Sequence, residues 1–141
     1  MKPLWTSLWS FDVPSKICNF LWRSCRNSLP TKDNLMQRKV IPKNLREQCK
    51  CHQEDVLHAL YGCPKLEPMW NKKQQWNHNT LRQAKCFTDL LGIILAKKND
   101  PKLFCWVVWD IWNRRNNIKL GKPTYTLSQV LERQWKGNLK Q

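Results

Sequence analysis

The sequence predicts a mainly α fold, a small helical domain followed by a helical connector. Three observations carry that prediction. Apolar residues recur at helical spacing, most clearly Phe87, Leu90, Leu91, Ile94 and Leu95, which form one stripe. Helix-start signals stand at Thr31, Asp55, Asp100-Pro101 and the pair Thr126 and Gln129. The alternating runs that mark strands are weak.

In chain order, Pro14 opens a helix with Ile17, Phe20, Leu21 and Ser24 on one face. Lys16, Asn19, Arg23 and Arg26 fall within about 80° of one another on another face, at roughly 100° per residue. This helix is expected to stop near Leu29-Pro30, because the residue before a proline disfavours helix. Thr31 then caps a second helix to about Lys39. Residues 40–53 read as a loop. Asp55 starts a short helix, Val56 to Tyr61, which Gly62 ends in a left-handed conformation. Pro64 and a short helical turn lead to Trp70. Residues 71–82 are polar and basic and read as a linker, which places the expected domains at 1–76 and 77–141. The Phe87 stripe follows, then a helix from Pro101 rich in Trp106, Trp109 and Trp112 that runs into Arg114-Arg115. Gly121-Lys122-Pro123 breaks the chain before a last helix, for which Thr126 and Gln129 have capping-box spacing. No internal repeat is visible.

Charge is the strongest bulk signal. Lys and Arg total 25 against 10 Asp and Glu, a formal net charge of +15, which attracts phosphate backbones or anionic surfaces. Lys16, Arg23 and Arg26 on one face, with Lys32, Arg38 and Lys39 nearby, are candidates for a phosphate-tracking surface, and Arg114 and Arg115 add to it. Trp5, Trp9 and Trp22 can stack on unpaired bases, but core packing is the commoner fate of tryptophan and is the expectation here. The longest apolar runs, Leu103 to Trp109 and Leu90 to Ala96, are too short to span a membrane, and the N-terminus lacks a signal-peptide layout. The expectation is an intracellular protein, nuclear or cytoplasmic and not secreted. Its seven cysteines, an odd number, are then reduced rather than bridged.

Three cysteines and two histidines crowd into Cys49-Lys50-Cys51-His52 and the run from Glu54 to Cys63. Thiolate and imidazole are the usual ligands of structural zinc, which takes four in a tetrahedron. The spacing His58-x4-Cys63 constrains the backbone. On a continuous α-helix five steps turn about 500°, so the two side chains part by roughly 140°. They share a metal only if the helix ends between them, where Gly62 stands. Cys49-x-Cys51 is tighter than the common C-x2-C knuckle, yet both thiols reach one ion if Lys50 bulges outward. His52 is a further candidate.

Taken together, the motifs resemble the zinc-binding region near the C-terminus of plant non-LTR (LINE-type) retrotransposon reverse transcriptases. The residues that carry the resemblance are Trp5, Trp9, Val13-Pro14-Ser15-Lys16-Ile17, Phe20-Leu21-Trp22-Arg23, Leu29-Pro30-Thr31, Asn34-Leu35 and Arg38, then Glu54-Asp55, His58, Cys63-Pro64 and Trp70. Ile111-Trp112-Asn113-Arg114-Arg115-Asn116 matches the I-W-x-x-R-N run of the connector. The ordered set covers nearly the whole chain. One position departs: where the first knuckle cysteine belongs, Arg46 stands. The resemblance implies one structural zinc on Cys49, His58 and Cys63, with Cys51 replacing the ligand that Arg46 removes.

The resemblance also implies partners: nucleic acid, a reverse transcriptase core and a ribonuclease H-like domain. Neither of those domains is legible in these residues, so the chain is expected to be a fragment of a polyprotein and not an enzyme by itself. No Y-x-D-D polymerase signature occurs. The acidic residues are scattered, where two-metal phosphoryl chemistry gathers them. With glycines only at 62, 92, 121 and 137, no Gly-rich phosphate loop is possible. The expected function is a non-catalytic module that helps a polymerase hold RNA or DNA; the rival is a structural connector with a decayed metal site.

Overall fold

The computed structural model describes residues 13–38, 54–72, 76, 79–97 and 100–132. Among these residues every regular element is helical, as the sequence predicts. Helix α1 is Ser15–Cys25, and it buries Ile17, Cys18, Phe20, Leu21 and Ser24. It stops earlier than the proline rule suggests. Asn27 takes the left-handed conformation at φ 56°. Its N–H donates to the Ser24 carbonyl at 3.1 Å, and the Ser28 N–H donates to the Arg23 carbonyl at 2.8 Å, the Schellman pair that closes a helix end.

Helix α2 is Lys32–Gln37, and the Thr31 hydroxyl accepts the Asn34 N–H at 3.2 Å as its N-cap. The buried Asn34 amide donates back to the carbonyls of Leu29 at 2.7 Å and Asn27 at 3.0 Å. One side chain thus satisfies the turn between α1 and α2, where buried backbone acceptors need partners.

After residue 54 the chain forms a π-helical turn, His58–Gly62, and a 3₁₀ turn, Pro64–Leu66. Helices α3 (Glu67–Trp70), α4 (Asn79–Arg82), α5 (Phe87–Lys97) and α6 (Pro101–Lys119) follow, with α7 at residues 127–132. The α5 stripe is buried at Phe87, Leu90, Leu91 and Ile94 as expected. At the start of α6, Asp100 holds the N-cap position but its side chain makes no capping bond. Its backbone lies at φ 48°, ψ 57°, outside the extended region from which a cap side chain reaches the first turn. The Thr126 and Gln129 capping box forms reciprocally: each backbone N–H donates to the other's side chain, at 2.8 and 3.2 Å.

Helix α6 is the central element. It packs on α1, on α5 and on the π turn. Near its start, Phe104 meets Trp70 and Trp76 with ring centroids 5.5 and 5.9 Å apart. Nearer its end, Trp109 stands edge-on to Phe20 at 5.3 Å, and Trp112 lies 6.4 Å from the same ring. The expected linker at 71–82 is therefore corrected. Trp76 is fully buried, its carbonyl accepts the Tyr61 hydroxyl at 3.1 Å, and Leu81 is buried as well. A single indole removes roughly 150–250 Å² from water, enough, with Leu81, to anchor a segment whose other residues are polar. One hydrophobic core runs from Ile17 to Leu131 and crosses the boundary expected at residue 76.

Candidate metal half-site and cationic face

His58 and Cys63 stand at the two ends of the π turn, and both are buried. The Asp55 carboxylate accepts the His58 N–H at 2.7 Å and so starts the helical segment as predicted. The end differs from expectation. Gly62 does not take a left-handed conformation; Gly121 is the only glycine with positive φ among the described residues. Instead the Cys63 N–H reaches five residues back to the His58 carbonyl at 3.0 Å. An i→i+5 bond widens the turn by one residue, a device that concentrates at functional sites. That bond ties the backbone of position 63 to that of position 58. The two residues of the H-x4-C spacing are thus the acceptor and donor of one backbone bond. The donor set, one imidazole and one thiol, suits zinc. Cys49 and Cys51, the other expected ligands, lie outside the described residues, as does His52. Among the described residues no third His, Cys, Asp or Glu joins the pair in a metal-holding group.

The other cysteines have a different character. Burial pushes the Cys18 thiol up, the Cys25 thiol to about 11 and the Cys105 thiol to about 12. These three stay protonated at neutral pH and serve as small apolar packing groups.

Next to the half-site a buried ion pair ties the chain together. The Glu54 side chain is fully buried and Arg115 is nearly so. Arg115 Nη2 donates to Glu54 Oε1, and Nε donates to Oε2 at 3.0 Å, a bidentate fork. Glu54 Oε1 also accepts the Lys32 N–H at 2.8 Å, and the Glu54 carbonyl accepts the Asp33 N–H at 2.9 Å. The carboxylate thereby sits on the positive end of α2. Arg115 Nη1 donates to Asn116 Oδ1 at 2.8 Å, and the guanidinium lies 4.8 Å from the Trp112 ring centroid. Glu54 thus joins α2 and α6 immediately before the half-site.

On α1 and the turn that ends it, Lys16, Asn19, Trp22, Arg23, Arg26 and Asn27 are exposed. Lys16 Nζ lies 5.7 Å from the Trp109 ring centroid, and the Arg26 guanidinium 4.7 Å from that of Trp22. Residues 13–32 contain no acidic side chain.

Residues 1–70 match the family described as zinc-binding in reverse transcriptase. This half of the chain belongs to that family. A protein of Arabidopsis thaliana provisionally named a ribonuclease H protein is 29% identical over 136 residues, covering 92% of this chain. The chain spans only 22% of that relative's length. No solved structure matches it.

Within the matched region, the residues on which the sequence resemblance rests divide by role. Ile17, Phe20, Leu21 and Leu29 are core, Thr31 is a cap, and Asn34 fastens the turn. The acidic residue Glu54 and the distant Arg115 are partners. That link was missed in the sequence, where Glu54 had no assigned role and Arg115 was assigned to phosphate contact. Arg115, expected among the cationic contacts, is buried on Glu54 and is not available at the surface. Arg114 is half-buried, and its Nε donates to the Tyr125 carbonyl at 2.9 Å. Lys32 is half-buried and Arg38 is exposed, while Lys39 lies outside the described residues. Trp22, expected in the core, is 41% exposed. Its neighbours Phe20 and Leu21 take the core-facing positions of α1, so the helical turn carries the indole outward. Trp5 and Trp9 lie outside the described residues.

Proposed function

We propose that the chain is a non-catalytic, zinc-stapled module of a retrotransposon-derived reverse transcriptase polyprotein, and that it holds nucleic acid through α1. The observation that carries this reading is the face of α1: Lys16, Arg23 and Arg26 lie exposed on one side of a segment without acidic residues. Exposed cations at that spacing suit a phosphate backbone, and binding of this kind does not read sequence. The described carboxylates near the half-site support a non-catalytic role, because they have structural work. Glu54 is taken by Arg115 and Lys32, and Asp55 caps His58.

Zinc would be held by His58 and Cys63 together with Cys49 and Cys51. When bound, it would supply no chemistry of turnover; it would tie the segment that carries Cys49 and Cys51 to the π turn. The ion pair and the π turn then present α1 on a fixed base. The reverse transcriptase core and ribonuclease H-like domain of a parent polyprotein are the proposed partners, in keeping with the length of the relative.

The test is fluorescence anisotropy of labelled duplex DNA over a range of salt. Affinity should fall on a log–log plot with a slope of roughly −0.9 per phosphate contacted. Replacing Lys16, Arg23 and Arg26 together by Gln should flatten that slope. An absence of binding at low salt, or binding indifferent to salt, would instead favour a connector that only spaces neighbouring domains.

A further inference from the structure

We propose that Trp22, braced by Arg26, is a stacking platform for an unpaired nucleic-acid base. The inference rests on the reading of α1 as a phosphate-tracking face and deepens it: the ligand class becomes single-stranded RNA or DNA rather than duplex.

The observation is a tryptophan in the wrong place for packing. Trp70, Trp76 and Trp112 are buried, and Trp106 and Trp109 are half-buried, yet Trp22 is 41% exposed. It is not exposed for want of a core, since Ile17, Phe20 and Leu21 of the same helix are buried against it. The ring is also held. The Arg26 guanidinium, 4.7 Å from the ring centroid, makes a cation–π contact over one face of the indole, which limits the ring's freedom and leaves the opposite face for a base. On helical geometry Trp22 lies about 40° from Arg26, and the whole set Lys16, Asn19, Arg23, Arg26 and Trp22 fits within about 120°.

A flat π surface inside an acid-free cationic strip has a specific chemical complement. The ligand must bring negative charge at short, regular intervals and an accessible π face beside it. Single-stranded nucleic acid has both. A duplex has the charge but hides its base faces in the stack. An acidic peptide has the charge but no regular π face. Base–aromatic stacking tolerates any base, because every base has a π face, so the platform adds affinity without sequence preference. Arg23 and Lys16 would sit on phosphates flanking the stacked base.

The experiment uses the full chain and four probes of matched length: oligo-dT, oligo-rU, an abasic phosphodiester and a duplex. Wild type should bind oligo-dT and oligo-rU more tightly than the abasic strand of equal charge. Trp22→Ala should cost about five- to hundred-fold on the two base-bearing single strands, the span expected for one stacked base. It should leave the abasic strand and the duplex unchanged. Trp22→Phe should recover most of the loss, and its emission should be quenched less by oligo-dT than that of wild type. An unchanged helical circular dichroism signal shows that the variants are folded. If wild type binds every probe with the same salt dependence and no preference for bases, the platform is refuted while the cationic face stands. An equal loss on the abasic strand for Trp22→Ala also refutes it. If wild type binds none of the probes, the cationic-face reading falls and the platform with it.

Discussion

Removing one partner of the Glu54–Arg115 pair should be the most damaging single change outside the apolar core. Both side chains are almost wholly excluded from water. Arg115→Met leaves a buried carboxylate whose remaining named donor is the Lys32 N–H. Glu54→Gln keeps an acceptor for that N–H but strands a buried guanidinium. Breaking a buried pair in this way costs about 3–5 kcal/mol, because the surviving charge keeps its desolvation penalty and loses its compensation. For a chain of 141 residues the unfolding entropy is on the order of 0.3 kcal/mol per degree, so each kcal/mol moves the midpoint by about 3 °C. Each single variant should therefore melt about 10–15 °C below wild type, read by circular dichroism at constant pH. The double variant Glu54→Gln with Arg115→Met carries neither buried charge and should lose clearly less than the two singles added together. A shift under about 3 °C for either single variant, the behaviour of an exposed pair, would refute the reasoning. So would strict additivity in the double.

Two further outcomes follow from the chemistry of the thiols and the knuckle. Burial raises Cys105 from 9.0 to about 12, so the unfolded chain releases this proton at lower pH than the folded one. The resulting stability is complete below about pH 9 and drains as pH rises toward 12, by up to about 1.4 kcal/mol per pH unit. Cys105→Ala should be less stable at neutral pH but lose less between about pH 9 and 11 in urea titrations, and an unchanged slope would contradict the assignment. At the proposed metal site, Arg46→Cys should restore a C-x2-C knuckle with Cys49 and tighten zinc in a chelator competition, whereas unchanged affinity would argue that Cys51 already completes the set.

The helices were legible because local signals coincide with tertiary demand. The Phe87 stripe, the Thr31 cap and the Thr126–Gln129 box depend on residues within one or two turns of each other, and all three form. Trp76 was misread because its immediate neighbours are polar and its ring partners, Trp70 and the distant Phe104, meet it only in the folded core. The Glu54–Arg115 pair was hidden for the same reason: 61 residues separate its members, and nothing local marks either as buried. At the half-site, the requirement that His58 and Cys63 converge was readable from helix geometry, but the means was not. The sequence pointed to a left-handed Gly62, whereas the structure has a π turn over residues 58–62 that packs on α6. Trp22 was misplaced because tryptophan's general preference for burial outweighed the helical phase, which had already put Ile17, Phe20 and Leu21 on the other side.

The most direct test of the account is the zinc content of the purified chain at neutral pH under reducing conditions, taken with the same measurement on His58→Ala and Cys63→Ala. The π turn, the buried imidazole and thiol at its ends and the family match together predict one zinc per chain. Either substitution should release it and loosen the segment around residues 45–65, since structural zinc contributes apparent binding free energy on the order of 10 kcal/mol. A ratio near zero in wild-type protein that is otherwise well folded would contradict the account: the fold would then stand on its aromatic core and the Glu54–Arg115 pair without a metal staple.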